Sequence, residues 1–193
     1  MKDRTIAGGK IYVKTPRIVL RDWTEKDIAP FAGMNSDPDV MRYFPSILTH
    51  DKSREFFDRI TSAIAEKGYG LFAAELVETG EFMGFIGFSN PKFEAWFTPC
   101  IEIGWRLDKK FWGKGLATEG AAACLKAGFE ELGFGKVYSF TSEINIPSRR
   151  VMEKIGLFYI GDFDHPNVSD ESVLKKHVLY GIERNGGRIV RAI

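Results

Sequence analysis

Residues 100–132 constrain this chain most, because they join a strand to a strongly periodic helix through a turn containing two glycines. Thr118, Ala121, Ala122, Leu125, Phe129 and Leu132 follow i, i+3, i+4, i+7 spacing, and Gly133 and Gly135 end the pattern. Such a helix buries one face, and the β-rich runs on either side of it predict a sheet to receive it. The junction itself reads Phe111-Trp112-Gly113-Lys114-Gly115-Leu116-Ala117-Thr118. Glycines at 113 and 115 permit a tight turn with amides pointing inward. The helix N-terminus adds roughly half a positive charge, so the turn can cradle a phosphate or pyrophosphate. Glycine pairs before helices also occur as plain turns.

The rest of the chain alternates short strands and helices. Residues 17–22 alternate polar and apolar side chains behind Pro16, as an opening strand does. A helix is expected over 25–34 after the N-cap Thr24, and another over 53–67 with Phe56, Phe57, Ile60 and Ile64 on one face. Residues 71–77 and 82–89 read as a hairpin turning at Gly80. Residues 90–99 hold two prolines with Phe93, Trp96 and Phe97, which predicts a loop. A strand follows over 137–142, then a helix over 147–155 closed by Gly156, then strands near 158–163 and 175–184. With 193 residues, no repeat and no linker, one mixed α/β (α+β) domain is expected over 1–193, with 1–15 a loosely ordered N-terminal extension.

Composition excludes several classes of function. The 27 basic and 26 acidic side chains nearly cancel, so the basic footprint of a nucleic-acid binder is absent. Cys100 and Cys124 lack metal or redox spacing and read as reduced core thiols. No run approaches the ~20 apolar residues of a spanning helix, and the charged first ten residues do not form a signal peptide. A cytoplasmic protein without membrane or nucleic-acid partners is expected.

Competing phosphate motifs fail on single residues. A Walker-type loop needs glycine at 108 and Ser or Thr at 115, where Asp108 and Gly115 stand. A dinucleotide fingerprint starting at Gly113 needs Gly or Ala at 118, where Thr118 stands. There is no G-x-S-x-G or H-E-x-x-H, and His50, His165 and His177 lack ligand spacing, so neither a hydrolase nor a metal site is indicated.

Three linked segments are more specific: Glu102-Ile-Gly-Trp-Arg-Leu-Asp108, Phe111-Trp-Gly-Lys-Gly-Leu-Ala-Thr-Glu119 and Asn145-Ile-Pro-Ser-Arg-Arg-Val-Met-Glu-Lys-Ile-Gly156. In order and spacing they resemble the GNAT superfamily of N-acetyltransferases, in its branch related to the ribosomal-protein N-terminal acetyltransferases (RimJ/RimL-like). The resemblance implies a mostly antiparallel central sheet, splayed near the strand that ends at Leu107, with helices on both faces and acetyl-CoA in the splay. It implies coenzyme A pyrophosphate on the amides of 113–118, with Lys110 standing where the family has Arg or Gln, and Trp112, Lys114, Leu116 and Ala117 completing the loop. Lysine keeps the charge but loses the planar fork.

By the same resemblance, Trp105, Arg106 and Leu107 run their backbone along the pantetheine arm. Glu102 becomes the base that deprotonates the incoming ammonium, directly or through water; the alternative is an ion-pair partner at the strand edge. Asn145 is implied to hold a pantetheine amide and Ser148 to assist the leaving thiol, with Arg149 and Met152 also against the cofactor. N-capping accounts for Asn145 and Ser148 as well. Many members carry Tyr where Met152 stands, which leaves the general acid unfilled.

The acceptor amine, a protein N-terminus or a small molecule, is expected against Phe44, Trp96 and Phe97, although such loop aromatics also cover core edges. His165 reads as a turn residue. A monomer or homodimer is expected. Two rival readings remain, a silent acyl-CoA sensor and a nucleotide module that does not use coenzyme A.

Overall fold

The computed structural model describes residues 5–6, 9–185 and 188–191. Among the described residues ten strands form one sheet: β1 (Thr5–Ile6), β2 (Gly9–Lys14), β3 (Ile18–Arg21), β4 (Leu71–Leu76), β5 (Glu81–Ser89), β6 (Glu102–Leu107), β7 (Lys136–Ser142), β8 (Phe158–Asp164), β9 (Lys176–Asn185) and β10 (Arg188–Arg191). Their order is β1-β2-β3-β4-β5-β6-β7-β9-β10, with β8 also paired to β9. Every pairing is antiparallel except β6 with β7. Parallel neighbours need a long crossover, and α4 (Leu116–Glu130) supplies it.

The other helices are α1 (Ile28–Ser36), α2 (Pro38–Met41), α3 (His50–Lys67) and α5 (Ile146–Lys154). The helix expected over 25–34 opens instead as a 3-10 turn over Glu25–Asp27, and α1 follows it. The cause is Asp27, whose carboxylate accepts from the Thr24 amide at 2.8 Å and from Arg21 Nη1 at 2.8 Å and Nη2 at 2.9 Å. The second helix begins at His50 rather than 53, because Thr49 Oγ1 caps the Lys52 amide.

Residues 9–14, expected within a loose extension, are strand β2. Tyr12 stacks on Phe72 at 4.1 Å and its hydroxyl donates to Asp22 at 2.8 Å, which ties the strand to the core. Residues 1–4 and 7–8 of that expected extension lie outside the described residues.

The crevice between β6 and β7 positions the site. These strands share one register pair, Glu102 with Tyr138, reinforced by Tyr138 N–H to the Ile101 carbonyl and Ser139 Oγ to the Ile103 carbonyl, both at 2.8 Å. Past Ile103 the two strands part. Both α4 and α5 follow the carboxyl ends of these strands, so their N-termini open at the parting, where open α/β sheets commonly bind ligands.

Among the described residues no helix is long and apolar enough to cross a membrane, and no cluster of His, Cys, Asp or Glu could hold a metal.

Candidate active site

Glu102 opens β6 opposite Ser89 of β5, whose Oγ donates to Glu102 Oε2 at 2.7 Å. Burial pushes the Glu102 pKa up to about 7, with the Ser89 bond pulling the other way. No cation among the described residues lies within ion-pair distance of it, so an ion-pair role at the strand edge has no partner.

Strand alternation sorts the rest of β6. The Asp108 amide donates to the Met83 carbonyl, so Arg106, Gly104 and Glu102 turn their backbone groups toward β5. Ile103, Trp105 and Leu107 therefore turn theirs toward β7, on the open side of the crevice. Leu107 already gives its carbonyl to Trp112 Nε1 at 2.8 Å. The three-residue backbone strip expected over 105–107 thus reduces to Trp105 and the Leu107 amide. Arg106 leaves it, because its backbone pairs with β5.

The glycine junction folds as its residues require. Gly113 and Gly115 adopt φ of +73° and +74°, a left-handed conformation that favours glycine. Gly115 is the N-cap of α4 and offers no side chain, so the first-turn amides of Leu116, Ala117 and Thr118 have no side-chain cap. Lys110, expected as the phosphate-facing cation, instead pairs with Glu81 at the start of β5. A different cation flanks the loop. Arg17 Nη1 donates to the Lys114 carbonyl at 3.0 Å and its Nε to Glu119 at 2.6 Å, and a Cβ on Gly115 would stand 3.7 Å from its Nη2. Sequence reasoning missed Arg17 because nothing local links residue 17 to residue 115.

At α5 the capping role is realised. Asn145 Oδ1 accepts from the Ser148 amide at 3.3 Å and its Nδ2 donates to Thr141 at 2.8 Å. Ser148 is half-buried in the first turn, with its hydroxyl bonded to no described residue. It follows the carboxyl end of β7, whereas Glu102 pairs with Tyr138 near the start of that strand. Arg149 donates to the Glu143 carbonyl at 3.1 Å, and Met152 is a fully buried member of the main core. A side chain so fully enclosed offers a cofactor no surface, so Met152 is a core residue rather than the expected cofactor contact.

The expected acceptor aromatics separate. Phe44 is exposed and lies over the Arg106 guanidinium, 4.0 Å from its carbon. Trp96 is exposed and meets Phe97 edge-on, but Phe97 itself is buried with Tyr138 and Leu179 in a second core cluster. Phe97 is thus a wall of the fold. His165 Nδ1 accepts the Asn167 amide at 3.2 Å, a turn contact, and burial draws its pKa down to about 4.

A mixed sheet parted between two parallel strands, with a glycine cradle and a buried carboxylate at the parting, has the architecture of an acyltransferase domain. The family model described as "Acetyltransferase (GNAT) domain" matches residues 17–157, so the chain belongs to the GNAT family and is an acetyl-CoA-dependent acetyltransferase. The uncharacterized protein YkkB of Bacillus subtilis is 39% identical over 155 residues, covering 79% of this chain and 88% of YkkB. FsC-acetyl coenzyme A-N(2)-transacetylase of Aspergillus fumigatus is 33% identical over 139 residues, covering 67% of this chain and 57% of that protein. A GNAT acetyltransferase from Bacillus anthracis, solved as a crystal structure, superposes with TM-score 0.73 at 31% identity, covering 89% of this chain and 97% of that one. The ribosomal L7/L12 alpha-N-protein acetyltransferase RimL in complex with coenzyme A also reaches 0.73, covering 89% and 97%, but at 13% identity it shares the fold alone.

Proposed function

We propose that this chain moves the acetyl group of acetyl-CoA directly onto a primary amine, with Glu102 taking the proton of the incoming ammonium. The observation that carries this reading is the part-buried Glu102 carboxylate at the point where β6 and β7 part, held by Ser89 and with its pKa pushed up to about 7 by desolvation. An aliphatic ammonium is mostly charged at neutral pH and cannot attack, so a base with pKa about 7 suits the task.

The first-turn amides of α4, lacking a side-chain cap, suit a pyrophosphate, and the unpaired edge of Trp105 suits the pantetheine amides. Acetyl-CoA supplies the activated thioester carbonyl. Asn145 holds the α5 N-terminus in place beside it. The Ser148 hydroxyl is available to the departing sulfur, although a thiol with pKa of roughly 8–10 leaves without an acid. The acceptor is a protein N-terminus or a small amine. The branch related to ribosomal-protein acetyltransferases is one form of this reading, with the exposed Phe44, over Arg106, and the exposed Trp96 as candidate acceptor contacts.

Glu102→Gln keeps size and polarity while removing basicity. It should retain coenzyme A affinity within a few-fold while kcat/KM falls by roughly 10²–10³ near neutral pH. Raising the pH should narrow the gap, because more acceptor arrives neutral. An unchanged kcat/KM from pH 6.5 to 9 in the folded variant would remove Glu102 as the base.

A further inference from the structure

Arg106 carries a charge that nothing in the fold answers. Its Nη1 donates to Asn35 Oδ1 at 2.7 Å, and its flat faces meet aromatic rings, Phe44 at 4.0 Å and Phe85 at 5.3 Å. Its Nε is shut off from solvent without a partner, and no carboxylate among the described residues lies within ion-pair distance. Burial alone draws its pKa down to about 10. Arg21 shows how this fold treats a structural guanidinium: Asp27 grips it at 2.8 and 2.9 Å, and Glu75 accepts its Nε at 2.6 Å. A buried guanidinium without an anion is costly, and ring faces and one amide oxygen offset only part of that cost.

Arg106 also shares a face with Glu102. Residues 102, 104 and 106 alternate onto one side of β6, which sets the two Cα atoms roughly 13 Å apart. Between them is Gly104, where an added Cβ would meet only Glu102 Oε1, at 4.0 Å. The floor between the carboxylate and the guanidinium is therefore open. With Nη1 engaged by Asn35 and Nε closed off from solvent, Nη2 is the donor left to an incoming anion, and a charge-assisted bond there suits a carboxylate.

We infer that the acceptor carries a carboxylate as well as its amine, with Arg106 gripping the carboxylate while Glu102 receives the amine, and that Arg106 selects for such acceptors. This rests on the transfer reading above, in which Glu102 marks the amine end. Asn35 is a positioning residue. It is fully buried, bonded to Ser53, and its carbonyl accepts the Leu48 amide of the segment that carries Phe44.

The test pairs α-, β- and γ-amino acids and dipeptides with their own carboxamides, in binding titrations on the coenzyme A-saturated protein and in acetyl transfer. The acids should bind at least about tenfold more tightly than the amides and turn over with higher kcat/KM. Asn35→Asp gives Arg106 an internal counter-ion and should erase the preference, and Arg106→Gln should do the same. Equal binding of acid and amide by the unaltered protein overturns the inference, as does a preference that survives Asn35→Asp. Preferential binding of acids with no acetylation of any amine would instead sink the transfer chemistry and leave the carboxylate site standing.

Discussion

Burial of the Glu102 carboxylate sets two pH dependences of opposite use. As a base it acts when ionised, so kcat/KM should climb through its pKa of about 7. For folding, the pKa lies above the ~4.3 of an exposed glutamate, so its contribution to stability is full below that value and is lost as pH rises through 7. The loss is at most roughly 4 kcal/mol, from about 1.4 kcal/mol for each unit. Glu102→Gln does not titrate. It should match the unaltered protein near pH 4 and exceed it by about 2–4 kcal/mol near pH 8, read by urea unfolding. Equal stabilities at both pH values would mean that the carboxylate is solvated. Glu102 was legible because the residues around it form a motif. The fates of Lys110, Met152 and Phe97 were not, because a motif fixes a position in the chain and not the direction of a side chain. Lys110 is claimed by Glu81, 29 positions away, and Phe97 by strands β7 and β9.

The helix α4 was legible as an element, but only part of its buried face was. Leu125, Phe129 and Ala121 are buried as their spacing requires, whereas Ala122 is exposed and Gly120, Cys124 and Gly128 turn to the sheet. Glycines carry no hydropathy signal, so a face built for close approach is invisible to periodicity. A Cβ on Gly128 would stand 2.6 Å from Phe88 Cζ and 3.1 Å from Phe134, and Phe88 is fully buried and cannot retreat. Gly128→Ala should therefore destabilise by about 1–3 kcal/mol, the overpacking cost exceeding the ~1 kcal/mol gained in helix propensity. Gly33 in α1 is the control. It is exposed and has nothing within 4 Å, so Gly33→Ala should stabilise by about 0.4–1 kcal/mol. Thermal unfolding of the pair reads the difference, and a stabilised Gly128→Ala would mean that α4 sits farther from the sheet than described.

Across the whole molecule, local signals found the hairpin of β4 and β5 and the helices but not the partners of distant strands. β3 pairs with β4 across the helices α1 to α3, Tyr12 of β2 stacks on Phe72, and β7 pairs with β9 past β8, contacts that only the assembled sheet defines. The parting of β6 from β7 is likewise a property of the assembly. One register pair joins the two strands, while α4 and α5 bring their N-termini to the opening. A ligand bound across that opening should tie both parts of the sheet together. At 100 times its Kd, coenzyme A would stabilise the fold by about 2.7 kcal/mol, which for a chain of this size raises Tm by roughly 5–11 °C. Gly115→Val and Gly113→Ala place side chains at nearly equal φ, +74° and +73°, so each carries left-handed strain of at least roughly 1–2 kcal/mol, more for the β-branched valine, and each variant's ligand-induced rise is read against its own ligand-free Tm. They differ in what they obstruct. Valine at the N-cap of α4 stands over the first-turn amides beside Arg17, whereas alanine at 113 enters open space. Gly113→Ala should keep most of the coenzyme A-induced rise in Tm, and Gly115→Val should lose it. A full rise in Gly115→Val would place the pyrophosphate seat away from this loop.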